Sequence, residues 1–224
     1  NLMTHMLDLR DVKSITAMQQ KIKAYAIQNP HLSWIQARGF NEANFIEQRF
    51  PTKHDLDSIQ IDKPICVTRT CAHQIIVNSK ALEIAEIDLD TAVPAGGEMK
   101  LLADGAISGH FTETAIGLIL SKIPRYTKAE LRHMVLAAQE HLLQLGITSA
   151  TDPAVDRDLL SVYKEMDANG ELKLRINAIP IRVPDGANKV YPNPEHYHSA
   201  HLVVNTVKFF ADGGLSGKTA AMLR

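Results

Sequence analysis

Apolar residues recur with a helical period near the start of the chain. Four of them lie three or four positions apart, at Ile15, Met18, Ile22 and Tyr25, which is the spacing of one helix face. Ser14 stands at the position of a helix cap, and Asn29-Pro30 ends the pattern. The pattern predicts an amphipathic helix within an N-terminal helical segment, residues 1–32.

The next stretch, residues 33–111, predicts a small α+β unit. Its apolar runs predict strands over residues 33–40 and 63–71, followed by a helix over residues 73–87. Two short apolar runs in residues 98–111 flank Asp104-Gly105, a pair that favours a tight turn with positive φ. A β-hairpin is therefore expected there.

Beyond this unit, capped helices alternate with strands. Thr127 and Glu130 have the spacing of a capping box, and Gly146 ends the helix that follows. A further helix is expected over residues 158–170, with strands over residues 146–152, 172–183 and 201–212. Their nearly continuous apolar runs are typical of parallel strands buried on both faces. Such units build open doubly wound sheets or (β/α)8 barrels, so the fold class is α/β.

The composition argues against several kinds of partner. The chain has 24 Lys and Arg residues against 25 Asp and Glu residues, so neither nucleic acid nor an anionic membrane is expected to bind. No apolar run approaches the ~20 residues of a membrane span, and no secretory leader is expected. Cys66 and Cys71 suit neither an easy disulfide nor a structural zinc site. We expect a cytoplasmic protein and leave a homo-oligomer open.

Near the end of the chain, Gly217, Lys218 and Thr219 have the letters that close a phosphate-binding loop. Asp212 stands where that loop needs its first glycine, and a carboxylate there would repel the phosphate. A phosphate-loop nucleotide hydrolase is therefore one alternative function.

Six stretches taken together carry a more specific signal: WIQARGFNE (34–42), PTKHDLDSI (51–59), RTCAHQIIVNSKAL (69–82), DGAISGHFTETA (104–115), GITSATD (146–152) and VKFFADGGLSGKTA (207–220). In this order they resemble the amidohydrolase superfamily, in particular the branch called amidohydrolase family 3. The resemblance implies part of a metal-dependent hydrolase (β/α)8 barrel, with about three parallel strands in residues 121–224. It also implies an inserted α+β subdomain over residues 33–120.

Lys208, in the last of these stretches, matches a family lysine whose amine can be carboxylated to a carbamate. The carbamate would offer two oxygens, one for each of two divalent metal ions, with zinc as the expected metal. Lys208 must then lie at the carboxyl end of a parallel strand, where barrel active sites are found. The resemblance thus implies Lys208 as metal ligand and catalytic residue, Asp212 as a second catalytic residue, and Gly213 as a point of close backbone approach to the substrate.

Arg69, Cys71 and His73 alternate along a segment predicted to be extended, so they would share one face. On one interpretation this face of the inserted subdomain points substrate-binding groups at the barrel mouth. On the other, Cys71 is a small core residue, while Arg69 and His73 join an internal hydrogen-bond network with Asn78. The sequence leaves both open, and the family often has Asp where Cys71 stands.

The resemblance implies a divalent-metal-dependent hydrolase of C–N bonds other than peptide bonds, in which metal-bound hydroxide attacks a small amide-like substrate. A non-catalytic regulatory or binding protein of the same fold is a second alternative. The family's other metal ligands have no counterparts here, and His196-Tyr197-His198 is predicted to be a solvated loop. We therefore expect a fragment that is inactive alone, with Lys208 as a plain lysine whose amine pairs with Asp212.

Overall fold

The computed structural model of the chain describes residues 6–181 and 196–209. These residues form two compact units, the first comprising residues 6–124 and the second residues 125–181 and 196–209. Within these ranges, no helix combines the length and the apolar character that a bilayer crossing requires.

The first unit contains six strands and four helices. In chain order they are β1 (Leu7–Asp8), α1 (Ile15–Gln28), β2 (Ile35–Phe40), α2 (Lys53–Asp57), β3 (Ile65–Arg69), β4 (Gln74–Val77), α3 (Ser79–Ile84), β5 (Glu98–Leu101), β6 (Ile107–Thr112) and α4 (Ile116–Leu120). The sheet has the strand order β1-β2-β3-β4-β6-β5. Pairing is parallel from β1 to β3 and antiparallel from β3 to β5.

Helix α1 forms where the apolar spacing predicts it. The Ser14 hydroxyl oxygen accepts a hydrogen bond from the Ala17 N–H at 3.0 Å, and the Asn29 N–H donates to the Tyr25 carbonyl. These bonds satisfy backbone groups that a helix leaves unpaired at its ends. The buried face of α1 packs into the same core as β2 and β3, with residues Ile15, Met18, Ile22, Ile35, Phe40 and Ile65.

The prediction of a helix over residues 73–87 is wrong for its first part. Residues 74–77 form strand β4, which pairs with β3 on one side and β6 on the other. The β-branched run Ile75-Ile76-Val77 is buried, and such residues suit a central strand. The helical part begins only at Ser79, where the Asn78 side chain caps α3 by accepting from the Ala81 N–H at 3.0 Å.

The hairpin predicted around Asp104-Gly105 is confirmed. Strands β5 and β6 pair antiparallel on either side of it. Gly105 has φ +85°, the left-handed conformation that favours glycine. The Asp104 carboxylate accepts a hydrogen bond from the Ala106 N–H at 3.0 Å, which closes the turn.

The second unit contains four strands and two helices. They are α5 (Lys128–Gln144), β7 (Ser149–Val155), α6 (Arg157–Ala168), β8 (Arg175–Pro180), β9 (Tyr197–His198) and β10 (Leu202–Val204). The strand order is β7-β8-β10-β9. Strands β7, β8 and β10 are mutually parallel, as the sequence predicts, and the Thr127–Glu130 capping box starts α5.

One face of this second sheet packs against α5 and α6. Its core includes Ile176, Ala178, Leu202 and Val204 from the strands and Leu131, Met134, Val162 and Met166 from the helices. Burial on both faces is expected for parallel strands, but within the described residues only this face is covered. The opposite face lines an open cavity of about 530 Å³, whose walls include Thr151, Arg175, Asn177 and His201.

Residues 197–198 form a short strand and not the loop that the sequence predicts, although His196 and His198 are exposed to solvent as expected. Tyr197 and His198 form strand β9, which pairs antiparallel with β10. The Tyr197 hydroxyl donates to the Asp167 carboxylate at 2.7 Å, and the Ser199 hydroxyl donates to the same carboxylate at 2.9 Å. These two bonds to α6 order a segment whose composition alone suggests a loop.

Candidate functional site

Lys208 lies at the carboxyl end of the parallel strands in the second unit. The backbone N–H of Lys208 donates to the Pro180 carbonyl at 2.8 Å, and Lys208 forms an isolated parallel β-bridge with Ile181. The Ile181 N–H in turn donates to the Val155 carbonyl at 3.0 Å, so β7 ends at the same level. This position meets the geometric condition for an active-site lysine of a barrel. Its role as a metal ligand stays a prediction.

A β-bulge marks the same end of strand β7. The register of β7 against β8 shifts between Pro153 and Val155, and Ala154 adopts φ +68°. Such a conformation is costly for a residue with a side chain and persists where the surroundings hold it. Bulges bend a strand and re-aim its side chains, and they are common beside active sites.

Asp212 and Gly213 lie outside the described residues, as do Gly217, Lys218 and Thr219 of the phosphate-loop alternative. Over residues 6–181 and 196–209, no group of three or more His, Cys, Asp or Glu side chains could hold a metal ion. The roles predicted for Asp212 and Gly213 therefore stay predictions.

Arg69, Cys71 and His73 do not alternate along one extended strand, so that prediction is wrong. Strand β3 ends at Arg69 and reverses into β4 through a tight turn. The Ala72 N–H donates to the Arg69 carbonyl at 2.9 Å, and Ala72 has φ +64°. The half-buried Cys71 occupies this turn.

The Arg69 guanidinium forms a two-pronged ion pair with Glu42. Its Nε and Nη2 donate to the two carboxylate oxygens at 2.7 and 2.8 Å, and Nη2 also reaches the Asn41 side-chain oxygen at 3.3 Å. Burial raises the pKa of Glu42, but the hydrogen bonds and charge of Arg69 outweigh burial and lower that pKa below its ordinary value. The hydrogen bond to Glu42 likewise raises the pKa of Arg69.

His73 pairs with Glu113, a residue that sequence reasoning missed. His73 Nδ1 lies 2.9 Å from Glu113 Oε2, and the Glu113 N–H donates to the His73 carbonyl at 3.0 Å. The pair is 40 residues apart in sequence, so no local pattern reveals it. The pairing of β4 with β6 sets Gln74 opposite Thr112, which brings the adjacent His73 and Glu113 together.

The predicted network with Asn78 is also wrong. The Asn78 side chain accepts from the Ile65 and Ala81 N–H groups and donates to the Lys63 carbonyl. It therefore fixes the start of β3 and α3, at the other end of these strands from Arg69 and His73.

Both charge pairs lie at one end of the six-stranded sheet. Strands β2, β3 and β6 end there and β4 begins there. We call this the polar sheet end and define it by Asn41, Glu42, Arg69, His73 and Glu113. His110 lies two residues before the end of β6. Its ring stacks on that of Phe50, with 4.0 Å between ring centroids, and its Nε2 lies 3.1 Å from the Gln74 side-chain oxygen.

The chain matches a known protein family and several known proteins. The family model described as the amidohydrolase family matches residues 1–224. The chain is 30% identical over 221 residues to YtcJ of Bacillus subtilis (strain 168), which bears the name of an amidohydrolase. That match covers 96% of this chain and 41% of YtcJ.

A second relative is the N-substituted formamide deformylase of Arthrobacter pascens, 25% identical over 154 residues, which cover 67% of this chain and 28% of the relative. Among solved structures, an uncharacterized metal-dependent hydrolase from Pyrococcus furiosus aligns with a TM-score of 0.61 and 26% identity. This alignment covers 96% of this chain and 42% of that one. The chain thus spans less than half the length of each of these three proteins.

Proposed function

Because the chain belongs to the amidohydrolase family, we propose that the protein containing it is a metal-dependent hydrolase of amide-like C–N bonds other than peptide bonds. The name of the Arthrobacter relative describes removal of a formyl group from a substituted nitrogen, which is such a bond. The Pyrococcus furiosus protein is described as a metal-dependent hydrolase. Both point to small amide-like substrates and a divalent metal.

The observation that carries this proposal is the position of Lys208. Three parallel strands, β7, β8 and β10, present it at their carboxyl end, where the active sites of (β/α)8 barrels lie. Helix α6 connects β7 to β8, as in a β/α unit. We take these strands as consecutive strands of a barrel, and the greater length of the relatives leaves room for the others.

The described residues do not make a metal site by themselves. They hold no cluster of three or more His, Cys, Asp or Glu side chains in reach of one ion, whereas metal sites in enzymes use three or more protein ligands. Lys208 in its carbamate form would contribute one ligand group, and the rest must come from other parts of the protein. Zinc is the metal we propose.

The chain's own backbone gives Lys208 a defined position. The hydrogen bond from its backbone N–H to the Pro180 carbonyl holds Lys208 at the end of β8. The bulge at Ala154 bends the neighbouring end of β7. A side chain fixed at its Cα by strand pairing loses less freedom when it binds than one on an open loop. The role proposed for Lys208 therefore depends on this pairing as well as on its amine.

The test is the variant Lys208→Ala in the longer protein that contains this chain, loaded with zinc and bicarbonate. We expect hydrolysis of N-substituted formamides to fall about 100-fold or more, because a ligand group to the metal is lost. Short carboxylic acids should restore part of the activity by replacing the carbamate oxygens. Hydrolysis is measured as release of formate, and bound zinc by elemental analysis.

The matched control is Lys173→Ala. Lys173 is exposed and stands just before strand β8, at its opposite end, so its loss should leave turnover unchanged. Unchanged turnover in Lys208→Ala would contradict the proposal. A protein that binds zinc but releases no formate from any N-substituted formamide would favour the non-catalytic alternative.

A further inference from the structure

His73 and Glu113 are held together twice, once through their side chains and once through the backbone. The Nδ1–Oε2 distance is 2.9 Å, and the Glu113 N–H donates to the His73 carbonyl. Their side chains are 34% and 17% exposed, so the pair is only partly open to solvent. The side-chain contact turns Nδ1 of the ring toward Glu113, and the backbone bond holds the two residues side by side.

The pairing determines which ring nitrogen carries the proton. A carboxylate only accepts hydrogen bonds, so in the neutral ring the proton sits on Nδ1. The lone pair is then on Nε2. Within the described part of the chain, His73 Nε2 makes no hydrogen bond. The pair therefore offers one oriented acceptor at the polar sheet end.

Glu113 is held in this place against a conformational cost. Its φ of +49° lies in the left-handed region, although it has a full side chain. The turn that contains it is buttressed from its other side, where the Thr114 hydroxyl donates to the Ala95 carbonyl at 2.9 Å. A Cβ on Gly97 would lie 2.2 Å from the Ala115 nitrogen, so the segment at Gly97 packs tightly on the turn. Strain maintained in this way is typical of functional positions.

The charges at the polar sheet end restrict what the acceptor can bind. Glu42 offsets the charge of Arg69, and the Glu113 carboxylate adds a negative charge beside His73. Anions such as carboxylates and phosphates are disfavoured there. A neutral group with an N–H donor is favoured.

We propose that His73 and Glu113 form an acceptor pair that binds the N–H group of a small neutral amide at His73 Nε2. Glu113 is the positioning residue, since it sets the ring orientation and the proton position without touching the ligand. The choice of an amide rests on the proposed function. The proton position on His73 does not.

The experiment reads the imidazole nitrogens directly, by long-range ¹H–¹⁵N correlation on the ¹⁵N-labelled 224-residue chain above about pH 8. The His73 signals are identified by their loss in His73→Gln. We expect the proton of His73 on Nδ1, whereas the exposed His31 should show the Nε2–H form that predominates in water. Titration with N-methylformamide should shift the His73 Nε2 signal, and formate should not.

Two variants separate positioning from general effects. Glu113→Ala should move the His73 proton to Nε2 and abolish the shift with N-methylformamide, and Glu83→Ala on α3 should change neither. An Nε2–H form of His73 in the unaltered chain would overturn the proposal. So would an Nε2 signal that stays unchanged with N-methylformamide or responds to formate instead. No metal and no turnover enter these measurements, so their failure is distinct from failure of the Lys208→Ala test.

Discussion

At the scale of single residues, the first unit keeps an imidazole in an environment that disfavours its charge. His110 is half-buried in β6, which pairs with β4 and β5, and its ring stacks on Phe50. Burial lowers the pKa of His110 from 6.5 to about 4, and the nearby positive charge of Lys100 adds to that effect. The ring is therefore neutral in the folded protein well below the pH at which a free histidine becomes charged.

This gives a pH dependence with a definite sign. The unfolded chain takes up a proton at His110 as the pH falls through about 6.5, whereas the folded chain does so only near 4. The free energy of unfolding should therefore decline between these pH values, by about 3 kcal/mol at most. Urea unfolding at pH 7, 6 and 5 measures it. In His110→Gln this decline should be smaller than in a His31→Gln control, and equal declines would contradict the assignment.

The two ion pairs at Glu42 and Asp8 make a second residue-scale comparison. Arg69 and Glu42 are 14% and 24% exposed, but Arg10 and Asp8 are 67% and 41% exposed. Removing one partner leaves a charge that is costly only where water cannot reach it. We expect Glu42→Gln to cost about 1–3 kcal/mol and Asp8→Asn less than about 1 kcal/mol in urea unfolding. Equal losses in the free energy of unfolding would contradict this, because they would mean that water solvates the Arg69 guanidinium once Glu42 is replaced.

At the scale of elements, the local patterns predict capped helices better than they predict short apolar runs. Helices α1 and α5 are recognisable in the sequence because each is defined by its cap residues and by apolar residues three or four positions apart. The run at Ile75–Val77 could be a buried helix or a buried strand, since short apolar runs do not separate the two. Its partners in β3 and β6 decide the outcome.

Gly109 lies in β6 and Gly105 in the turn before it, and substitutions at these two glycines measure how closely β6 packs on β4. Both have positive φ, but a Cβ on Gly109 would lie 2.3 Å from the Val77 carbonyl oxygen, whereas Gly105 has open space. We expect Gly105→Ala to cost about 1–2 kcal/mol for its conformation alone. Gly109→Ala should cost clearly more, because backbone in β4 must shift. Thermal unfolding of both variants measures the difference, and equal losses would show that β4 yields easily.

At the scale of the whole molecule, the candidate site is predictable only in part. The resemblance points to Lys208, and the parallel strands that place it follow from the apolar runs. Glu113 could not be found, because its link to His73 depends on strand register and not on spacing. The ion pair of Arg69 with Glu42, 27 residues away, was missed for the same reason.

Strand β9 has a consequence for how the second sheet could grow. It hydrogen-bonds β10 at Val203 and Val204, so this side of an apolar strand is not left as an open template for aggregation. A further parallel strand, which a closed barrel would need beside β10, must take up the same backbone groups. Closure would therefore replace the antiparallel strand β9 with a parallel strand beside β10. The hydrogen bonds of Tyr197 and Ser199 to Asp167 hold β9 in place and oppose this replacement.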